Sequence, residues 1–150
     1  MTTYTDSIGF DKGTAARHER GMNAVSRVDV ELDFAAIIAA RAAAGATALA
    51  ATDVIEVIPI AAGTLVLGAG IEVTTVESTN TTAVFHVGST DPDGYVASMA
   101  SNALASDAVS GALVEPIYHA TADTIDISLI TAAPTDCVVR VFAILAQCVD

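Results

Sequence analysis

The sequence predicts an all-β fold: a jelly-roll-like antiparallel β-sandwich of about eight strands with an extended N-terminal arm. Three observations predict it. Residues 28–34, "VDVELDF", alternate Val28, Val30, Leu32 and Phe34 with Asp29, Glu31 and Asp33, the period-2 pattern of a strand with one wet face. From Asp53 to the C-terminus, short runs rich in Val, Ile and Thr are separated by Gly, Pro, Asn and Asp at the spacing of sandwich or barrel strands. Residues 1–27 are polar and aperiodic, and "TAARHERGMNAV" is the one stretch with the character of a helical turn or two. The chain therefore divides into an arm, 1–27, and a sandwich domain, 28–150.

Each element has its own justification. After the strand at 28–34, "AAIIAARAAAGATALAATD" favours helix by its alanine content. Gly45 interrupts it and the small side chains bury little area, so a short helix or an irregular crossover fits as well as a long helix. "DVIEVIPI" is a strand, "AAG" a turn, "TLVLGAGIEVTTV" a strand and "ESTN" a polar turn. "TTAVFHVGS" and "YVASMA" are strands on either side of "TDPDG". A small-residue loop, "SNALASDAVSG", leads to a short run around "PIYHA", then the strand "TIDISLI", the turn "TAAPTD" and a closing strand from Cys137.

Composition limits the function. At 150 residues the chain is one ordinary domain with room for a real core. A net charge of -12 with only six Lys and Arg argues against nucleic acid as a partner, because phosphate contacts need clustered cations. Four of the six bases, Lys12, Arg17, Arg20 and Arg27, lie in the arm. From Ala42 onward twelve acids face the single base Arg140. The hydrophobic content of 53% raises the question of a membrane, but the longest run without acids or bases, "VIPIAAGTLVLGAGI" (57–71), falls short of the ~20 residues of a helical span. Pro59 and three glycines make it two strands and a turn. The N-terminus lacks a basic region followed by an apolar core, so no secretory signal is expected and synthesis is placed in the cytoplasm.

The residue types that carry chemistry are sparse. In "DPDG", only Asp91 and Asp93 offer carboxylates, whereas calcium loops converge more acids and a distal Glu. Pro92 presets φ, Gly94 is expected to supply φ > 0, and Asp93 can bond its own backbone, so this stretch is a turn. His18, His86 and His119 are isolated, without the paired spacing of a metal site, and each is expected on a polar face, His86 pointing opposite to Phe85. Asp123 and Asp126 are three apart and fall on opposite faces of a strand, which prevents an acid/base pair. No Gly-x-Ser-x-Gly elbow occurs, the Ser-rich loop 98–110 has no nearby His, and no Gly-rich phosphate loop is present. Cys137 and Cys148, eleven apart on one strand, cannot bridge and are expected as free thiols. With no Trp, a stacking platform for sugars is thin, and Tyr95 and Tyr118 are the aromatics available on loops. No catalytic, cofactor-binding or metal residue is assigned.

One pattern departs from a solitary sandwich. "VVRVFAILAQCV" is apolar on both parities apart from Arg140 and Gln147, and "TLVLGAGIEV" has the same character. A two-layer domain does not bury both faces of both sheets, so part of this surface is expected to meet another subunit or a large partner.

At "IPIAAGTLVLGAGIEVTT", "DPDGYVASM" and "ADTIDISLITAAPTDCVVRVFAIL" the chain resembles the capsid cement (decoration) proteins of tailed bacteriophages, small β-sandwich virion proteins of the cyanophage and marine-phage type. The resemblance covers residues 28–148 and departs at Ala61, where that pattern has proline. It implies a jelly-roll-like homotrimer on the outer capsid surface, with the major capsid protein as partner and no cofactor. The alternatives are a tail, fibre or head-fibre component binding host glycans, and a cupin-like enzyme with a cross-strand site.

Overall fold

The computed structural model describes residues 3–4, 25–103, 108–112 and 116–148. Thr3–Tyr4 forms a two-residue strand, β1. The alternating segment is β2, Val25–Asp33, which starts three residues before the expected Val28. Residues 25–27 thus belong to the sheet, while Lys12, Arg17, His18 and Arg20 lie outside the described residues. Along β2 burial deepens with the alternation until Val30 and Leu32 are enclosed.

The Ala-rich segment resolves into one short helix, α1, Phe34–Ala43. Asp33 Oδ1 caps it by accepting from the Ala36 amide at 3.1 Å. Its end follows from Gly45, whose φ of +65° permits a Schellman closure: the Gly45 amide donates to the Ala42 carbonyl and the Ala46 amide to that of Arg41. Phe34, Ile37 and Arg41 form the buried stripe at i, i+3 and i+7. The ring of Phe34 stacks on Phe85 with centroids 5.7 Å apart, which docks the helix start onto the core.

The remaining strands are β3 (Val54–Ile60), β4 (Thr64–Thr75), β5 (Val84–Gly88), β6 (Val96–Ala100), β7 (Ala108–Ala112), β8 (Ile117–His119), β9 (Asp123–Leu129) and β10 (Val138–Gln147). The run 57–71 is two strands and a turn, with Gly63 at φ +77° between β3 and β4. One expectation needs correction: Ala108–Ala112, read from sequence as loop, is strand β7. Its small residues give no apolar alternation, and only pairing with β4 makes it a strand.

Two sheets form the sandwich. Sheet I has the order β1-β3-β9-β5-β6, and sheet II the order β2-β10-β4-β7 with β8 also on β4. All pairings are antiparallel except β1 with β3. The core lies between the sheets, where Ile55, Ile58, Ile125 and Ile127 of sheet I meet Ile71, Val73, Val139 and Val141 of sheet II. No helix among the described residues is long and apolar enough to cross a membrane.

Candidate functional site

The structure separates most of the residues that the sequence marked for chemistry. Asp91, Pro92 and Asp93 are exposed on a turn closed by the Gly94 amide donating to the Asp91 carbonyl at 3.1 Å. Gly94 is not among the positive-φ residues, so it serves as the fourth residue of the turn rather than as its left-handed position. The glycine this turn requires is Gly88, where an added Cβ would lie 1.9 Å from the Asp91 carbonyl oxygen. His86 is half-buried beside the fully buried Phe85.

His119 corrects the expectation of a polar face. It is buried, and its Nδ1 lies 3.3 Å from Asp123 Oδ2, which also accepts from Thr90 Oγ1 at 3.2 Å. The two lie only four residues apart, and sequence reading missed the pair because it falls on the corner between β8 of sheet II and β9 of sheet I, where neither strand nor helix period applies. Asp126 takes the other face of β9, directly opposite Glu56 on β3. Tyr95 is buried, with its hydroxyl pushed up by burial, which leaves Tyr118 as the exposed one of the two named tyrosines. Among the described residues no group of three or more His, Cys, Asp and Glu side chains is placed to hold a metal ion.

The most heavily bonded polar group is one the sequence did not flag. Glu77 is 2% exposed in the turn after β4. It accepts from the amides of Asn80 (2.9 Å), Thr135 (2.7 Å), Asp136 (3.1 Å) and Cys137 (3.3 Å) and from the Thr135 hydroxyl. Burial alone would raise its carboxyl, but these donors, led by the Thr135 hydroxyl, outweigh burial and hold it well below the usual carboxylate range. The same enclosure works on Cys137: burial first, and then the Glu77 charge, push its thiol far up. Cys137 and Cys148 are both free thiols. The role of Glu77 is to fasten the β4–β5 turn to the β9–β10 turn, since its partners converge on one rigid carboxylate without an open coordination position.

A groove of about 280 Å³ lies between α1 and the turn before β10, lined by Ile38, Leu49, Pro134 and several alanines. It has a few polar groups, Arg41 and Thr135 among them, but no carboxylate, histidine or cysteine to act on a ligand. The Arg41 Nε donates to the Thr47 carbonyl at 2.9 Å, which ties the post-helix segment to the helix.

The outer face of sheet II is the surface with features that a scaffold does not need. Because paired residues share a face, its rows follow from the register. The first row crosses four strands with Val25, Ala146, Leu65 and Tyr118. The second holds Arg27, Ile144 and Gly68, and the third Asp29, Phe142, Gly70 and Gly111. The fourth is Glu31, Arg140, Glu72 and Val109, in which Arg140 bonds Glu72 at 3.0 Å and lies 3.7 Å from Glu31. Tyr118 is 50% exposed and Val25 58%. The face thus passes from an apolar end, where Val25 and Tyr118 are exposed and Ala146 and Leu65 half-buried, to a charged end where two glutamates flank Arg140.

No family model and no curated protein matches the sequence. Among solved structures, the fold is similar to a chain of the acidic stable capsid structure of Helicobacter pylori bacteriophage KHP30, with a TM-score of 0.53 and 13% identity over 82% of this chain and 86% of that one. A chain from the capsid of Ralstonia phage GP4 aligns at a TM-score of 0.48 and 15% identity over 99% of this chain and 98% of the other. At such identities the first likeness is one of fold.

Proposed function

We propose that the protein is a structural component of a bacteriophage virion: a cement or decoration protein that binds the outer capsid surface as a homotrimer and stabilises contacts between major capsid proteins. The observation that carries this reading is the apolar row Val25, Ala146, Leu65 and Tyr118 across sheet II, whose ends Val25 and Tyr118 are exposed among the described residues. Aqueous monomers seldom leave a contiguous apolar patch of this kind open without a partner for it. The fold likeness to a capsid chain supports the same reading. Assembly would take place in the host cytoplasm and the mature location would be the virion, without nucleic acid, membrane or cofactor as partner.

The arm supplies the contact with the shell in this proposal. Residues 1–24 carry Lys12, Arg17 and Arg20, half of the bases in a chain of net charge -12. A truncation lacking residues 1–20 removes the two-residue edge strand β1 from sheet I but leaves β2 intact, because that strand begins at Val25, and circular dichroism checks that the truncated chain folds. Co-sedimentation with capsids stripped of the wild-type protein, across a range of salt, is the test. The full chain is expected to bind and the truncated chain to bind more weakly, with the difference shrinking as salt screens the charges. Full-length protein that fails to bind such capsids at any salt would overturn the reading.

A further inference from the structure

We infer that the chain makes a covalent crosslink within itself: an ester between the Thr64 hydroxyl and the Gln147 side chain, formed with His119 as the base. The inference does not depend on the virion reading. In the register of sheet II, Thr64 of β4 lies opposite Gln147 of β10 on one side and opposite His119 of β8 on the other. Paired residues share a face with their Cβ atoms roughly 5 Å apart, so the three side chains form one row. The row faces inward: Thr64 and His119 are buried and Gln147 is half-buried. The Cys148 amide donates to the Gly63 carbonyl at 2.9 Å. One step along, Gln147 and Thr64 are therefore the narrow kind of antiparallel pair, in which side chains stand closest.

The histidine is set up as a base. Its Nδ1 lies 3.3 Å from Asp123 Oδ2, and Asp123 is itself fixed by accepting from Thr90 Oγ1 at 3.2 Å and from the Thr124 amide at 2.9 Å. A ring that donates from Nδ1 to a carboxylate keeps its lone pair on Nε2. That nitrogen is buried without a hydrogen-bond partner among the described residues. A buried acceptor left without a donor calls for a role. Carboxylate, imidazole and hydroxyl follow one another here in the order that activates a hydroxyl nucleophile.

The step balances with groups already present. The Thr64 hydroxyl turns onto His119 Nε2 and gives up its proton as Oγ1 attacks the carboxamide carbon, Cδ, of Gln147. The bond from Cδ to the amide nitrogen then breaks, and that nitrogen takes the proton from the imidazolium and leaves as ammonia. An Oγ1–Cδ ester remains, nothing is oxidised or reduced, and the chain is lighter by one ammonia. Two side chains held opposite each other react without the entropy cost of meeting. Burial of Thr64 and His119 keeps water from competing for the acyl carbon. The product ties β4 to β10, the two central strands of sheet II.

The test is the intact mass of the purified full chain, followed by peptide mapping. The wild type should weigh one ammonia less than its sequence, counted with or without Met1. Its digest should hold a branched peptide joining the segments around Thr64 and Gln147. Hydroxylamine, which opens esters and spares amides, should separate the two. Thr64→Val keeps the shape of threonine without the hydroxyl and should show the full sequence mass, as should Gln147→Leu, with circular dichroism checking that both fold. Thr64→Ser should restore the loss of ammonia. His119→Ala should form the crosslink at least ~100-fold more slowly, so most of a fresh preparation stays at the unmodified mass. If Thr64→Val does not fold, the branched peptide of the wild type decides by itself. A wild type at its full sequence mass overturns the inference, and so does an ammonia loss that maps to an asparagine instead of Gln147. A folded His119→Ala that crosslinks as fast as the wild type overturns the assignment of the base.

Discussion

The guanidinium of Arg27 lies 4.7 Å above the centroid of the Phe142 ring, held there by bonds from Nε and Nη2 to Asp29 at 2.9 and 2.7 Å. Beneath the ring are Gly70 and Gly111, paired residues of β4 and β7 with no side chains of their own. The aromatic ring on β10 therefore fills the outer surface over two strands that offer only backbone.

Gly70→Ala is the sharpest test of that packing. Its Cβ would lie 2.5 Å from the Ser110 carbonyl oxygen and 2.6 Å from Phe142 Cζ, so strand β7 as well as the ring must move. A loss of about 2–3 kcal/mol in urea unfolding is expected. Arg27→Ala should cost only about 0.5–1 kcal/mol, because the arginine side chain is 53% exposed. Equal costs for the two substitutions would show that the glycine seat is not what places the ring.

Glu77→Gln should destabilise by about 2–3 kcal/mol, since the amide loses charge-assisted acceptance and turns donors toward donors. The pH dependence follows from the direction of the shift. The folded carboxyl titrates below its ordinary value of 4.5, so the unfolded chain binds more protons in the interval between the two. Stability from Glu77 is present above about pH 4.5 and is lost as pH falls toward the folded value. Thermal melts of the wild type should fall over that interval, and those of Glu77→Gln should fall less steeply.

At the "DPDG" turn, Gly88→Ala should cost at least about 2 kcal/mol, because its Cβ would meet the carbonyl oxygen of Asp91 and the Pro92 backbone. Gly94→Ala should cost under about 1 kcal/mol, as its Cβ would approach Asp91 no closer than 3.3 Å. Adding a chelator should leave the melting temperature unchanged. A drop of several degrees would mean that Asp91 and Asp93 hold an ion.

Thr52 has a φ of 70°, a conformation that suits glycine or asparagine and strains a β-branched residue. Its amide donates to the Leu129 carbonyl at 2.6 Å, which keeps it there. Thr52→Asn should stabilise by about 0.5–1 kcal/mol, or roughly 1–4 °C. A lower melting temperature would show that the threonine side chain makes a contact worth more than the strain.

What the sequence determined by itself was periodicity and punctuation. The alternation of Val28, Val30 and Leu32 with Asp29, Glu31 and Asp33, the turn at Gly63 between β3 and β4, and the apolar parity of both faces of β10 are local properties, and they yielded the all-β class and most strands. Tertiary structure decided what depends on register. Strand β7 exists because β4 offers it an edge, since "AVSGA" has no pattern of its own. Glu77 reads as one more turn acid until the residues around Thr135, far along the chain, surround it. His119 reads as a surface histidine although Asp123 is only four residues on, because the corner between β8 and β9 that buries it and turns it toward that acid has no period of its own. The candidate interface divides in the same way. That β10 is apolar on its outer side was legible, whereas the row Val25, Ala146, Leu65 and Tyr118 was not. Its four members come from four strands, and a one-residue slip in any pairing would turn that strand's contribution into the core.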